Sequence, residues 1–256
     1  MAHTSLIFLR TMRLDKINQD LSIYQYKDGF CYGTDAVLLS AFVNVKKGDV
    51  CVELGTGSGI ISILLAYHKK PAKIYAFEIQ PEYAELAEKN ADMCGFVENI
   101  HVICDNLKNY SSHGIEGVDV VFSNPPYMKC DSGKLNENEK KLISRHEVHC
   151  DINDVCRAAS AMLKNGGDFY AVFRPDRLSD LIYALKSNRL EPKELMFVQS
   201  HASKAPNLFL IKAKKDCCDG GLKLHKNLIL YSKNADMTPE LEYIYQHGRM
   251  GGKNGK

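Results

Sequence analysis

No apolar run in these 256 residues is long enough to cross a bilayer, so no membrane-spanning helix is expected. A CxxC pair is also missing. The nine cysteines are scattered and odd in number, and Cys217 and Cys218 are adjacent, so the thiols read as reduced in a cytoplasmic protein, with neither a disulfide framework nor a metal site expected. A large excess of charge is lacking as well. The net charge of +2 excludes a polycation that coats nucleic acid indiscriminately. Near the amino end, Ser5-Leu6-Ile7-Phe8-Leu9 is too short for a signal-peptide core, and no small-residue cleavage site follows it. No repeat or low-complexity block is seen apart from the glycine-lysine tail Gly251 to Lys256, which is expected to be disordered.

What is present is an ordinary globular composition, 45% apolar and 25% charged, enough to bury a sizeable core and too apolar for a disordered chain. The most informative stretch is Asn124-Pro125-Pro126-Tyr127, at the end of the apolar run Val118-Asp119-Val120-Val121-Phe122-Ser123. That run has the length and β-branched content of a buried strand. Two consecutive prolines end it, because each lacks a ladder donor and fixes φ. The tetrapeptide therefore stands at a strand's carboxyl end, where open α/β sheets bind ligands. It offers an amide, a backbone carbonyl and an aromatic face, which together suit a planar amine. Methyl transfer to such a nitrogen needs acceptors on its N–H groups, since they favour the pyramidal, positively charging nitrogen of the transition state. Asn124 and the Pro125 carbonyl fit that part, and Tyr127 can stack on a base. An Asn-Pro-Pro turn that merely reverses the chain is the alternative.

Upstream, Asp49-Val50-Cys51-Val52-Glu53-Leu54 reads as a short buried strand, followed by Gly55-Thr56-Gly57-Ser58-Gly59 and an apolar helix from Ile60 to Ala66. Glycines let a backbone turn sharply and approach a ligand at a helix N-terminus. The spacing is G-x-G-x-G, without the third glycine of the dinucleotide fingerprint at its usual place, and Glu53 would repel a pyrophosphate while welcoming an ammonium or sulfonium group. A second strand, Ala72 to Glu78, ends in an acid about twenty residues beyond the glycines, the placement of a ribose ligand. A third, Asn99 to Cys104, ends in Asp105-Asn106, where an adenine amino group could be read. Polar signals at four successive strand ends outweigh any one of them.

These residues resemble the Rossmann-like S-adenosylmethionine-dependent methyltransferases. The segment Tyr26 to Leu39 with its Gly33-Thr34-Asp35-Ala36-Val37-Leu38-Leu39, the loop Glu53 to Gly59, Asn124 to Tyr127, and Arg145-His146-Glu147 narrow the resemblance to the bacterial tRNA1(Val) (adenine(37)-N6)-methyltransferase family, from about Met12 to Arg249. Cys31 stands where many members carry Arg. The resemblance implies S-adenosyl-L-methionine as donor, held by Glu53, Gly55, Thr56, Gly57, Gly59, Glu78, Ile79, Asp105 and Asn106, with Asn124 at its border and Thr34 and Asp35 near its methionine end. It also implies catalytic roles for Asn124, Pro125, Pro126 and Tyr127, tRNA as the partner, and no metal or obligate protein partner.

The remaining chain alternates helices and strands. An amphipathic helix is expected from Asp151 through Lys164, ended by Gly166-Gly167, then a strand from Asp168 to Phe173, a helix near Leu178 to Ser187, and a closing antiparallel pair, Lys193–Gln199 and Leu208–Ala213. The fold expected is α/β: a seven-stranded mixed sheet with helices on both faces, preceded by a small β-element around Ile17 to Tyr26 and a helix from Thr34. Residues 1–11 read as an extension or an added strand, 12–46 as the small N-terminal element, 47–247 as the methyltransferase domain and 248–256 as a disordered tail. From Lys204 onward, ten basic residues face five acidic ones, with Tyr231, Tyr243 and Tyr245 among them. Lys212, Lys214 and Lys215 could track phosphates there, or form a solvated basic edge. Arg145 and His146 are similarly placed to touch RNA or to form a surface ion pair.

Two other functions share part of this pattern. A release-factor-type glutamine N5-methyltransferase also carries Asn-Pro-Pro-Tyr but usually has a long helical domain before the donor site, where here only about fifty residues precede Glu53. A nonenzymatic RNA-binding module would not need the strand-end acids. Adenine or guanine methylation of ribosomal RNA or DNA is a variant of the first reading, weakened for DNA because no separate target-recognition domain is found.

Overall fold

The computed structural model describes residues 11–29, 31–125 and 151–251. An antiparallel hairpin opens it, β1 (Met12–Lys16) against β2 (Ser22–Tyr26), in register Met12 to Tyr26. Helix α1 (Thr34–Phe42) follows, then β3 (Val50–Leu54), α2 (Ile60–Lys69), β4 (Lys73–Glu78), α3 (Pro81–Met93) and β5 (Ile100–Cys104). Pro81 starts α3, where a missing N–H costs nothing. A 3-10 turn (Leu107–His113) leads to β6 (Val118–Ser123). Beyond the undescribed stretch come α4 (Ile152–Met162), β7 (Leu163–Phe173), α5 (Leu178–Ser187), β8 (Leu190–Gln199), β9 (Leu208–Lys215), two two-residue strands β10 (Lys223–Leu224) and β11 (Leu228–Ile229), and α6 (Pro239–His247). None of the described helices is long and apolar enough to cross a membrane.

The main sheet runs β5-β4-β3-β6-β7-β9-β8, with β10 and β11 both added parallel to β8. Strands β3 to β7 pair in parallel, and β9 runs antiparallel to both β7 and β8. The seven expected strands are therefore present, and the two short ones bring the sheet to nine among the described residues. Neither has a hydrophobic period of its own, and the free edge of β8 supplies their partners. Because β4 and β5 lie on one side of β3, and β6 and β7 on the other, the chain direction across the sheet switches between β3 and β6. A crevice at the carboxyl ends of those two strands is the consequence.

Alternation along each buried strand divides the core. Cys51 and Ile74 face a cluster with α1, α2 and α6, whereas Val52 and Phe77 face α4 and α5. Helix α1 has no basic residue in its last turn, and Lys69 of α2 fills that role by donating to the carbonyls of Ser40 (2.6 Å), Ala41 (3.2 Å) and Val43. Burial pushes the Lys69 pKa down to about 8.

One expected boundary is corrected. The helix that was to run through Lys164 stops at Met162, Leu163 already being extended (φ −65°, ψ 144°), and residues 163–167 bulge within β7. Asp151 and Asp154 form the capping box at its start, but its end is fixed by tertiary contacts. Lys215 donates to the Leu163 carbonyl (2.7 Å), Lys214 to the Gly166 carbonyl (2.7 Å), and Lys164 pairs with Asp119. These contacts offer that backbone more than another helical turn would.

Candidate active site

The loop between β3 and α2 is shaped by its glycines, Gly55, Gly57 and Gly59, all at positive φ (80°, 56° and 84°). At Gly59 there is a second constraint, since a Cβ would lie 3.3 Å from Ala87 Cβ on α3. The loop is anchored by Gly55 and Thr56 N–H groups, both donating to the Phe77 carbonyl (2.9 Å each), which ties it to the end of β4.

Glu53, at the carboxyl end of β3, is wholly buried. One carboxylate oxygen accepts from Thr56 Oγ1 (2.7 Å) and from Ser62 Oγ, while the other, Oε1, is buried with no hydrogen-bond partner among the described residues. Burial raises its pKa to about 7, opposed by the Ser62 and Thr56 donors and reinforced by the charge of Glu78. A buried acceptor without a donor costs free energy that an incoming cation or N–H group would recover. Glu78, at the end of β4, is held at both oxygens: Oε2 accepts from Gly57 N–H and Oε1 from Gln80 N–H, each at 2.9 Å. Two acids from neighbouring strands thus converge on one glycine loop. Ile79 follows at the turn into α3 and is half-buried.

At the end of β5, Asp105 accepts from His113 Nε2 (2.9 Å), Asn109 Nδ2 (2.8 Å) and Asn106 N–H (2.6 Å). The His113 and Asn109 hydrogen bonds hold its pKa below the usual carboxylate range. Asn106 caps the 3-10 turn by accepting from Lys108 N–H (3.0 Å). His113 in turn packs edge-on against Phe77, with ring centroids 5.4 Å apart.

Asn124 and Pro125 are half-buried just beyond β6. Their level is set by Ser123, fully buried, whose hydroxyl donates to the Leu54 carbonyl (2.7 Å) and locks the ends of β6 and β3 together. Asn124 Nδ2 donates to Asp35 Oδ2 (3.2 Å), so the first turn of α1 meets the end of β6. Thr34, the first residue of α1, lies by Tyr245 of α6, whose pKa is raised chiefly by burial. The segment entering α1 is held by the buried Gln25 of β2, which accepts from Tyr32 N–H (2.8 Å), and Arg13 of β1 reaches Cys31 Sγ (3.6 Å), so a guanidinium arrives at the Cys31 position from another strand.

The structure therefore gathers Thr34, Asp35, Glu53, Gly55, Thr56, Gly57, Gly59, Glu78, Ile79, Asp105, Asn106, Asn124 and Pro125 at the carboxyl ends of β3 to β6 and the start of α1. Pro126, Tyr127, Arg145 and His146 lie outside the described residues. Lys212, Lys214 and Lys215 are not brought to this crevice. Phe209 pairs with Phe173 at the crevice end of β7, whereas Lys214 pairs with Asp168 at its amino end. Lys212 and Lys214 form ion pairs with Asp168 (3.2 and 2.8 Å), and Lys212 also approaches Glu194 (3.6 Å).

Sequence reasoning missed Asn90, which is fully buried on α3. Its amide accepts from Tyr24 N–H (2.8 Å) and donates to the Tyr24 carbonyl (3.0 Å) and the Ser58 carbonyl (2.9 Å), linking the hairpin to the glycine loop. The signal was available: Asn90 falls on the apolar stripe Tyr83, Leu86, Ala87, Ala91, where an amide is out of place without a partner.

Comparison with known proteins agrees with this geometry. Residues 45–230 match the family model described as a methyltransferase domain. A tRNA1(Val) (adenine(37)-N6)-methyltransferase from Yersinia enterocolitica is 34% identical over 208 residues, covering 80% of this chain and 74% of the relative. One of the same name from Porphyromonas gingivalis is 30% identical over 185 residues, covering 70% and 72%. The crystal structure of a predicted O-methyltransferase from Agrobacterium tumefaciens superposes with a TM-score of 0.69 at 22% identity, covering 86% of this chain and all of that one, a likeness of fold. The chain belongs to the methyltransferase domain family and, within it, groups with the tRNA1(Val) (adenine(37)-N6)-methyltransferases.

Proposed function

We propose that this protein transfers a methyl group from S-adenosyl-L-methionine to N6 of an adenine in tRNA, adenine 37 of tRNA1(Val) being the position named for its relatives. The observation that carries the reading is the Oε1 of the buried Glu53, unpartnered among the described residues, on a carboxylate whose other oxygen holds Thr56 of a glycine loop that Glu78 already braces, one strand from Asn124. The donor set fits a cationic nucleoside. Glu78, fixed by two backbone donors, keeps lone pairs for ribose hydroxyls, and Glu53 supplies negative charge for the cation. Asp105 and Asn106 stand at the adenine end, Thr34 and Asp35 at the other. When bound, S-adenosylmethionine supplies a methyl carbon on a sulfonium sulfur, and that sulfur leaves as a neutral thioether as the new bond to nitrogen forms.

The protein's share is orientation and electrostatics. An exocyclic adenine amine is a poor nucleophile because its lone pair is delocalised into the ring. Asn124 Oδ1 and the Pro125 carbonyl accept from its two N–H groups and favour the pyramidal nitrogen as it becomes positive. Tyr127 would stack on the base. After transfer the nitrogen is acidic, and water takes the proton. An adenine in an anticodon loop enters such a pocket at little unstacking cost.

Labelled donor, offered separately with bulk tRNA, ribosomal RNA, duplex DNA and a release factor, tests the reading. Label is expected on tRNA, recovered as N6-methyladenine on nucleoside analysis. Label confined to a glutamine of the release factor would replace it with the N5-glutamine activity.

A further inference from the structure

We propose that Asp35 is a positioning residue that sets which way the Asn124 amide faces, an inference that rests on the function proposed above. An asparagine side chain presents an acceptor on one side and a donor on the other, and the two can exchange by a half-turn about the last bond. Only the acceptor is useful to an amine that must be relieved of positive charge. Something has to hold the amide the right way round.

Asp35 has the geometry to do so. It lies in the first turn of α1, and its Oδ1 accepts from Ala36 N–H (2.9 Å), which fixes the plane of the carboxylate against its own backbone. The second oxygen, Oδ2, then points across to Asn124 and meets Nδ2 at 3.2 Å. A carboxylate only accepts, so Nδ2 must face Asp35 and Oδ1 must face the other way. Gly33 leaves the room this needs, since a Cβ there would lie 2.7 Å from Asp35 Oδ1. The backbone at Gly33 is extended (φ −110°), so an alanine is tolerated by the chain and would press only on the carboxylate. The sequence resemblance places Asp35 beside the methionine end of the donor; the contact with Asn124 gives it a task on the acceptor side.

The test is a comparison of wild type with Asp35→Asn, Gly33→Ala, Asn124→Ala and the Asp35→Asn/Asn124→Ala double variant. In Asp35→Asn an oxygen remains for Ala36 N–H, so the helix start is kept, but the other atom becomes a donor and the Asn124 amide turns over to meet it. Turnover on tRNA is expected to fall by about 10- to 100-fold even when the donor, whose affinity is followed by calorimetry, is saturating, so that the loss lies in kcat whatever Asp35 also contributes to holding the donor. Gly33→Ala, which alters no charge and displaces the carboxylate, should lower turnover with the same selectivity. In the Asn124→Ala background, Asp35→Asn should have little further effect, because there is no amide left to orient. Wild-type turnover in Asp35→Asn, a loss of donor affinity that accounts for the loss of rate, or full multiplication of the two effects in the double variant would each overturn the inference. Failure of the underlying reading looks different: wild type itself would then leave adenine unlabelled.

Discussion

Replacing Glu53 by Gln separates what this carboxylate does for the fold from what it does for the ligand. The ordinary pKa of 4.5 rises to about 7 in the folded chain because burial penalises the charged form. Between those values the folded state holds more protons than the unfolded state, so stability falls as pH rises through the window and the cost is complete above about pH 7. At about 1.4 kcal/mol for each step of one in pH, the rise corresponds to about 3 kcal/mol. Glutamine keeps the shape and stays neutral. Urea unfolding of both proteins from pH 4.5 to 8 should therefore show the variant gaining on the wild type with rising pH, by up to about 3 kcal/mol, and then levelling off. Donor affinity should move the opposite way, because the neutral amide no longer attracts a cation. Calorimetry of donor binding near pH 6, in buffers of different ionisation enthalpy, should also detect proton release from the wild type and none from the variant. A stability difference independent of pH would refute the reasoning, since it would mean that the buried carboxylate ionises at its ordinary value.

Three further substitutions follow from the same geometry. Glu78→Ala removes charge-assisted hydrogen bonds to ribose and should weaken donor binding by about 1.5–3 kcal/mol in calorimetry, unchanged affinity counting against the assignment. Asn124→Ala should retain donor binding and lose at least about a hundredfold in turnover, because its acceptor works mainly in the transition state; near-normal turnover would remove it from the catalytic set. Neutralising Lys212, Lys214 and Lys215 together should lower the urea midpoint by releasing the bulge at residues 163–167 and leaving Asp168 unpaired. The salt dependence of tRNA binding, measured on the folded fraction, then decides whether these lysines also track phosphates.

The parts of the fold legible in the sequence were those set by neighbours in the chain. Strands β3 to β6 each end in a polar residue after an apolar run, and the glycine loop declares its own turn, so the donor side of the crevice could be read before any contact was known. The end of α4 could not, because lysines on a distant strand satisfy the carbonyls there. Strands β10 and β11 are invisible for the same reason, having no pattern apart from the edge they join. Helix α6 is different. Thr238 accepts from Leu241 N–H and Pro239 occupies the first turn, a local start signal that was present and passed over. The lysines of β9 are the converse case, since counting charges along the chain does not reveal that Asp168 and Glu194 stand across the sheet from Lys212 and Lys214.

Asn90 also bears on the order in which the molecule is assembled. A two-stranded hairpin is marginal alone in water, and β1–β2 is the first described structure to be synthesised. Its backbone partner on α3 lies 66 residues further along the chain. The hairpin must therefore wait for α3, and the Ser58 carbonyl, held by the same amide, waits with it. Closing that long loop costs entropy before any contact rewards it. The first strands made thus gain a partner only after α3 is in place, and the amide that receives them is one that also holds the ligand loop.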